Sequence, residues 1–148
     1  MLDQETLHFK IELAGTYWAN QPRYSVLVND DVITTDTISA ESGASVFVEF
    51  DHTVTEGNVD LKIRLENKTN RDVIQNEDKT AILKDMLLHI KRIEIDEIDL
   101  GILLWSKSQY VGDDATRPVL DNCVDLGWNG TWTLALTSPF YIWLLENI

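Results

Sequence analysis

Five aromatic residues, Tyr17, Trp18, Tyr110, Trp128 and Trp132, stand in or beside segments that read as loops. An exposed aromatic ring offers a flat apolar face to sugar C–H groups, and loops at the end of a β-sandwich are common binding surfaces. These five are the candidate glycan-binding residues. The plainer explanation, and the more ordinary one, is that the tryptophans close the open ends of a core or sit in a subunit interface.

Carboxylates are the second source of chemistry. Glu94, Asp96, Glu97 and Asp99, with Asp113 and Asp114, carry the hard oxygens that calcium takes. Alternate acids on a strand more often form a solvated face, and no EF-hand-like spacing or glycine marks a cage here. Glu49 and Asp51 are near enough in sequence for glycosidase-type acid–base work, but such chemistry needs a defined separation that a sequence does not give. His8, His52 and His89 are scattered, without the spacing of zinc ligands. There is no Gly-x-Ser-x-Gly motif and no phosphate loop. Cys123 is the single cysteine, so no internal disulfide can form. It reads as a small buried hydrophobe, not as a nucleophile. No catalytic residue, no metal-ligand set and no cofactor are therefore expected, with weak calcium binding at the acidic edge as the one exception considered.

The elements that would carry these groups are strands. In Leu87–Gly101, apolar residues alternate with charged ones, as on a strand with one buried and one wet face. Leu88 and Ile90 share one phase and Ile93 and Ile95 the other. The pair Lys91-Arg92 makes that shift, as a β-bulge does. A second shift is expected to carry the run on to Ile98 and Leu100. Leu7, Phe9, Ile11 and Leu13 alternate with His8, Lys10 and Glu12. Tyr24–Val28, the turn Asn29–Asp31 and Val32–Thr37 read as a hairpin. Ser45–Phe50 is strand-like, and Val59–Glu66 is the cleanest alternation in the chain.

Elsewhere the pattern is weaker. Asn67–Lys79 is polar and aperiodic, which predicts a long mobile loop. Ile82–Ile90 also fits helical spacing, although a strand from about Met86 is preferred. Ile102–Trp105 reads as a short buried strand, and Val119–Leu126 as another. Asn129-Gly130 is a hairpin signal, and Phe140–Leu145 reads as a last, very apolar strand. About ten short antiparallel strands separated by turn residues predict an all-β fold, a jelly-roll-type β-sandwich. No linker or internal repeat is visible, so residues 1–148 are expected to form a single domain.

Composition narrows the partners. The chain has 148 residues, 44% hydrophobic and 25% charged, with a net charge of −13. That charge disfavours nucleic acid, whose phosphates need a basic stripe, and anionic membranes. No apolar run approaches the roughly 20 residues of a membrane span. Met1–Thr6 has neither a basic region nor an apolar core, so no signal peptide is expected.

The pieces Ile11–Thr16, Ser25–Ile33, Val59–Asn67 and Leu88–Asp96, closing at Gly101, follow one another in an order that resembles the calcium-dependent xylan-binding modules, carbohydrate-binding module families 36 and 60. The resemblance covers about residues 7–101 and implies a small jelly-roll sandwich. In that family a carboxylate after the first glycine-containing loop, and an Asn-Asp pair after the central strand, help to hold calcium. Here those regions read Gln21-Pro22-Arg23 and Glu66-Asn67-Lys68. Lys68 stands where the Asp would be, and an ammonium there repels a cation.

On these residues the expected protein is a non-enzymatic sandwich that works by assembly. The expected setting is a virion structural component, a phage capsid-decoration or tail-associated protein assembled in a host cytoplasm, with copies of itself or other particle proteins as partners. The alternative is a carbohydrate-binding module or lectin-like adhesin that reads a cell-surface glycan with its loop aromatics. The assembly reading rests on the final segment. As a strand it would place Tyr141, Trp143 and Leu145 on one outward face, too apolar for water and suited to an oligomer interface.

Overall fold

The computed structural model describes residues 3–148. Thirteen strands and two helices lie within them. The strands are β1 (Gln4–Thr16), β2 (Arg23–Val28), β3 (Asp31–Thr37), β4 (Ser45–Thr55), β5 (Gly57–Leu65), β6 (Ile74–Gln75), β7 (Ile82–Lys84), β8 (Leu87–Ile95), β9 (Ile98–Asp99), β10 (Ser108–Gly112), β11 (Leu120–Asp121), β12 (Asp125–Leu126) and β13 (Gly130–Ser138). The helices are α1 (Leu103–Ser106) and α2 (Phe140–Asn147). One sheet runs β12-β8-β1-β4 with β9 on β8, and the other runs β11-β10-β13-β5-β2-β3. The strand pairs are antiparallel. The expected jelly-roll-type sandwich is the fold.

Alternation builds the core. Leu7, Phe9, Ile11 and Leu13 of β1 point inward, and Val59, Leu61, Ile63 and Leu65 of β5 meet them from the other sheet within one buried cluster. β5 is central, between β13 and β2, and its alternation matches one face packed on the core and one turned outward. The Lys91-Arg92 shift is a bulge. Glu12 pairs with Arg92 and Leu13 with Ile90, leaving Lys91 as the extra residue. The bulge lets Leu88, Ile90, Ile93 and Ile95 all face the core despite their broken spacing.

Four local expectations are corrected. The second shift in this stretch is a tight turn, not a continuing strand. Asp96 and Glu97 have φ of 52° and 68°, and Ile95 pairs with Ile98. Two positive φ values are what a two-residue hairpin turn needs. Ile102–Trp105 forms the helical turn α1, with Leu103 and Leu104 buried; so short an apolar run has no period to separate strand from helix. Asn129-Gly130 does not turn a hairpin. The chain crosses there from β12, on β8, to β13, between β10 and β5. Glycine is required at 130 for close approach, since a Cβ would lie 2.4 Å from the Val111 carbonyl oxygen.

The fourth correction concerns the final segment, on which the assembly expectation rests. Residues Phe140–Asn147 are helix α2, not a strand. Pro139 has no N–H for a ladder and ends β13. Phe140 and Trp143, three apart, turn into the core together, with rings 6.2 Å apart. Trp143 is 6% exposed, whereas Tyr141 and Leu145 lie on the solvent side at 52% and 72%. The three residues expected to share an outward strand face are thus divided between the core and the surface. A run that is apolar at every position fits both periodicities, so alternation could not choose.

Candidate functional site

At one end of the sandwich β1, β5 and β10 finish and β8 and β13 begin, and the segment expected to be mobile is pinned across this end. The Asn67 side chain accepts from the Arg23 N–H at 2.8 Å and donates to the Gln21 carbonyl at 2.9 Å. The Asn129 side chain likewise takes the Lys68 N–H and returns a hydrogen bond to the Lys68 carbonyl. Thr69 and Asp72 form a capping box around the 3-10 turn Asn70–Asp72. The Asp72 carboxylate is buried and accepts from Thr69 and from Asn20, while its carbonyl accepts from the Trp18 indole N–H at 2.9 Å. Beyond it β6 and β7 pair as a small ribbon whose turn is closed by the Asn76 side chain on Thr80 and Ala81. Side-chain bonds to backbone, not hydrophobic period, order this stretch.

Two recesses lie against the ribbon. The larger is a cleft of about 760 Å³ walled by Lys68, Thr69, Asn70, Val73, Gln75, Ile82, Asp85, Asp113, Asp114, Arg117 and the Gly127–Asn129 segment. The smaller, about 340 Å³, is walled by Thr16, Tyr17, Trp18 and Ile82–Asp85. Ile82 and Asp85 belong to both, so the recesses adjoin. Trp128 stands in the first and Trp18 in the second.

The charges of the cleft are fixed. The Lys68 ammonium is 2.5 Å from Asp85 and donates to the Gly127 carbonyl at 2.6 Å, with the two side chains 12% and 19% exposed. Asp113 is gripped by both oxygens on Arg64 Nη2, at 3.1 and 3.0 Å. Asp114 accepts from the N–H and the hydroxyl of Thr116, which hold its carboxyl below the usual carboxylate range. A cation lies over each tryptophan: Arg117 at 4.8 Å from the Trp128 ring centre, and Lys84 at 5.2 Å from that of Trp18.

The five aromatic candidates divide. Trp18, 41% exposed, and Trp128 line the recesses. Tyr17 lines the smaller one, with its hydroxyl donating to the Ala40 carbonyl. Tyr110 and Trp132 are fully buried. They sit at inward positions of β10 and β13, where the Tyr110 hydroxyl donates to the Trp128 carbonyl and the Trp132 indole to the Cys123 carbonyl. A ring with no exposed face cannot stack on a sugar, so both leave the candidate set. Lys68 was marked in the sequence by its place in the resemblance. Asp85, Ile82, Lys84 and Arg117 carried no spacing signal.

Of the four acids at the end of β8, Glu94, Asp96 and Asp99 have structural partners, and Glu97 lies in the Asp96-Glu97 turn. Glu94 and Asp99 pair with Arg92, and Asp96 accepts from the His8 N–H. Glu49 and Asp51 do not face each other across a substrate space. They bracket the His8 ring on the outer sheet face, at 2.7 Å to Nε2 and 2.5 Å to Nδ1. The Asp51 and then the Glu49 hydrogen bond raise the His8 pKa. Cys123 is half-buried, and burial pushes its thiol up, away from the reactive thiolate.

Among the described residues no group of three or more His, Cys, Asp or Glu side chains converges as a metal site. The two regions that the resemblance would use for calcium do meet, but the Asn67 amide joins them. Glu66 is taken by the Ser25 hydroxyl and by Arg23 and Arg64. Lys68 brings its own positive charge. This donor set does not fit a divalent ion.

No family model matches the sequence, and no curated protein matches it. Solved structures share its fold. One, vCBM60 in complex with galactobiose, superposes with a TM-score of 0.52 at 14% identity, covering 86% of this chain and 96% of that one. Another, a selenomethionine form of vCBM60 from work on a circular permutation linking two families of calcium-dependent carbohydrate binding modules, gives 0.53 at 14% identity over 86% and 89%. At that identity the likeness is one of fold, and it is the fold resemblance expected from the order of strands.

Proposed function

We propose that the chain is a carbohydrate-binding module whose ligand is a neutral glycan lying across the ribbon end. The observation that carries this reading is the placement of Trp18 and Trp128 in adjoining recesses that share Ile82 and Asp85. Two aromatic rings with amide and carboxylate acceptors between them match what sugar rings present: apolar C–H faces edged by hydroxyls. Local charge supports a neutral ligand. The whole chain carries −13, yet residues 64–85, which form much of the cleft wall, hold five basic and five acidic side chains. The fold neighbour that holds galactobiose adds support of a general kind. Binding proceeds without a divalent ion, because the Lys68–Asp85 pair already places a cation at the base of the cleft.

The glycan reading is favoured over assembly because Trp143, one of the three residues on which assembly was expected to rest, packs into the chain's own core. A glycan array probed with the purified protein and with Trp18→Ala and Trp128→Ala tests the proposal. Signals for neutral glycans that fall in both variants are expected. An array without signal, or one unchanged by both substitutions, would overturn it.

A further inference from the structure

Two independent observations mark Trp128 as held in a closed pose. The first is its cap. The Arg117 guanidinium lies over the Trp128 ring, 4.8 Å from its centre, and no carboxylate among the described residues holds it in an ion pair away from that face. The second is its nitrogen. Trp128 Nε1 is buried without a hydrogen-bond partner, the one such side-chain atom among the described residues. A buried donor left unpaired is costly, so native proteins keep few of them. The indole reaches this position because residue 112 is glycine. A Cβ there would meet Nε1 at 2.8 Å, Cδ1 at 3.0 Å and the Arg117 Cβ at 3.2 Å.

We infer that Arg117 sets the affinity of this cleft by occupying the Trp128 ring face that a neutral sugar would take; the inference rests on the reading of the cleft as a glycan site. The ligand displaces the guanidinium. The indole can then leave its seat on Gly112 and turn its N–H toward a ligand hydroxyl. The motion is local. The backbone of Arg117 is anchored by its N–H on the Asp114 carbonyl at 3.0 Å, in a turn braced by Asp114 on Thr116. The exposed Arg117 side chain needs only a rotamer change, which takes picoseconds to nanoseconds.

The experiment has two arms. In the first, NMR follows solvent exchange of the Trp128 indole N–H, assigned with Trp128→Phe, in the wild type and in Arg117→Ala. Exchange at least about ten-fold faster in Arg117→Ala is expected once the cap is gone. In the second, calorimetry measures galactobiose binding to the same two proteins and to Arg117→Lys. Losing an exposed cation–π contact of about 0.5–1 kcal/mol corresponds to a two- to five-fold gain in affinity for Arg117→Ala, with Arg117→Lys between. Unchanged exchange, or weaker sugar binding in Arg117→Ala, overturns the cap; weaker binding would make Arg117 a direct sugar contact. Faster exchange with no galactobiose bound by either protein leaves the cap standing but overturns its role in affinity for this sugar, while the array decides the glycan reading separately.

Discussion

Replacing Lys68 with Met keeps most of the side-chain volume and removes the ammonium. Asp85 is then left at the base of the cleft with the Met86 N–H at 2.8 Å as its remaining donor, and the Gly127 carbonyl loses its bond. Removing one partner of a fully buried pair costs about 3–5 kcal/mol. The two side chains here keep 12% and 19% of their exposure and Asp85 keeps one donor, so a cost of about 2–3 kcal/mol is expected for Lys68→Met. Asp85→Asn leaves the ammonium on neutral oxygens and should cost about 1–2 kcal/mol. The double variant should cost less than the sum, with a coupling of about 1–2 kcal/mol. Urea unfolding of the four proteins measures this cycle, and the coupling should persist at high salt because the pair is shielded from counterions. A coupling below about 0.5 kcal/mol would refute the reasoning, since it is the value of a solvated surface pair.

Leu61→Ala, at a fully buried position of the central strand, should lower stability by about 2–5 kcal/mol in urea, and a loss below about 1 kcal/mol would misplace β5. Trp143→Ser should lower the urea midpoint, by about 3 kcal/mol or more in stability, without changing the size of the folded protein in light scattering. His8 gains its two carboxylate partners on folding, which raises its pKa above 6.5 in the folded state. Its contribution is therefore fully present below about pH 6.5 and lost as the pH rises through the folded-state value. The melting-temperature difference between wild type and His8→Gln should be larger near pH ~5.5 than near pH ~9, and a difference that grows with pH would contradict the assignment.

What the sequence displayed depended on contrast between environments. β1, β5 and the bulged β8 were legible because each has one wet and one dry face, so residue type alternates with direction. Ile102–Trp105 and Phe140–Leu145 are apolar throughout, and their helices were hidden because every phase fits. Asn129-Gly130 misled because Gly130 answers to the crowding of Val111 and Gly112, not to a turn. In the site, Trp18 and Trp128 were visible as loop aromatics. Tyr110 and Trp132 were placed beside loops, yet a strand alternates side-chain direction at each residue, and their phase turned both inward. Lys68 was visible as a departure from the calcium pattern. Its partner Asp85 was not, because the contact is made by the fold and not by spacing. The ribbon and 3-10 turn of residues 67–84 are ordered by Asn67, Asn76 and Asp72 bonding to backbone, which composition alone reads as a loop.

Glycan binding at the ribbon end, with Lys68 in place of a divalent ion, underlies the proposed function. It is tested most directly by calorimetric titration of the purified chain with the best glycan from the array, in calcium and again in excess chelator, beside Trp128→Ala. The same affinity in calcium and in chelator, and a loss of binding in Trp128→Ala, are expected. Binding that disappears in chelator, or that survives intact in Trp128→Ala, would contradict it.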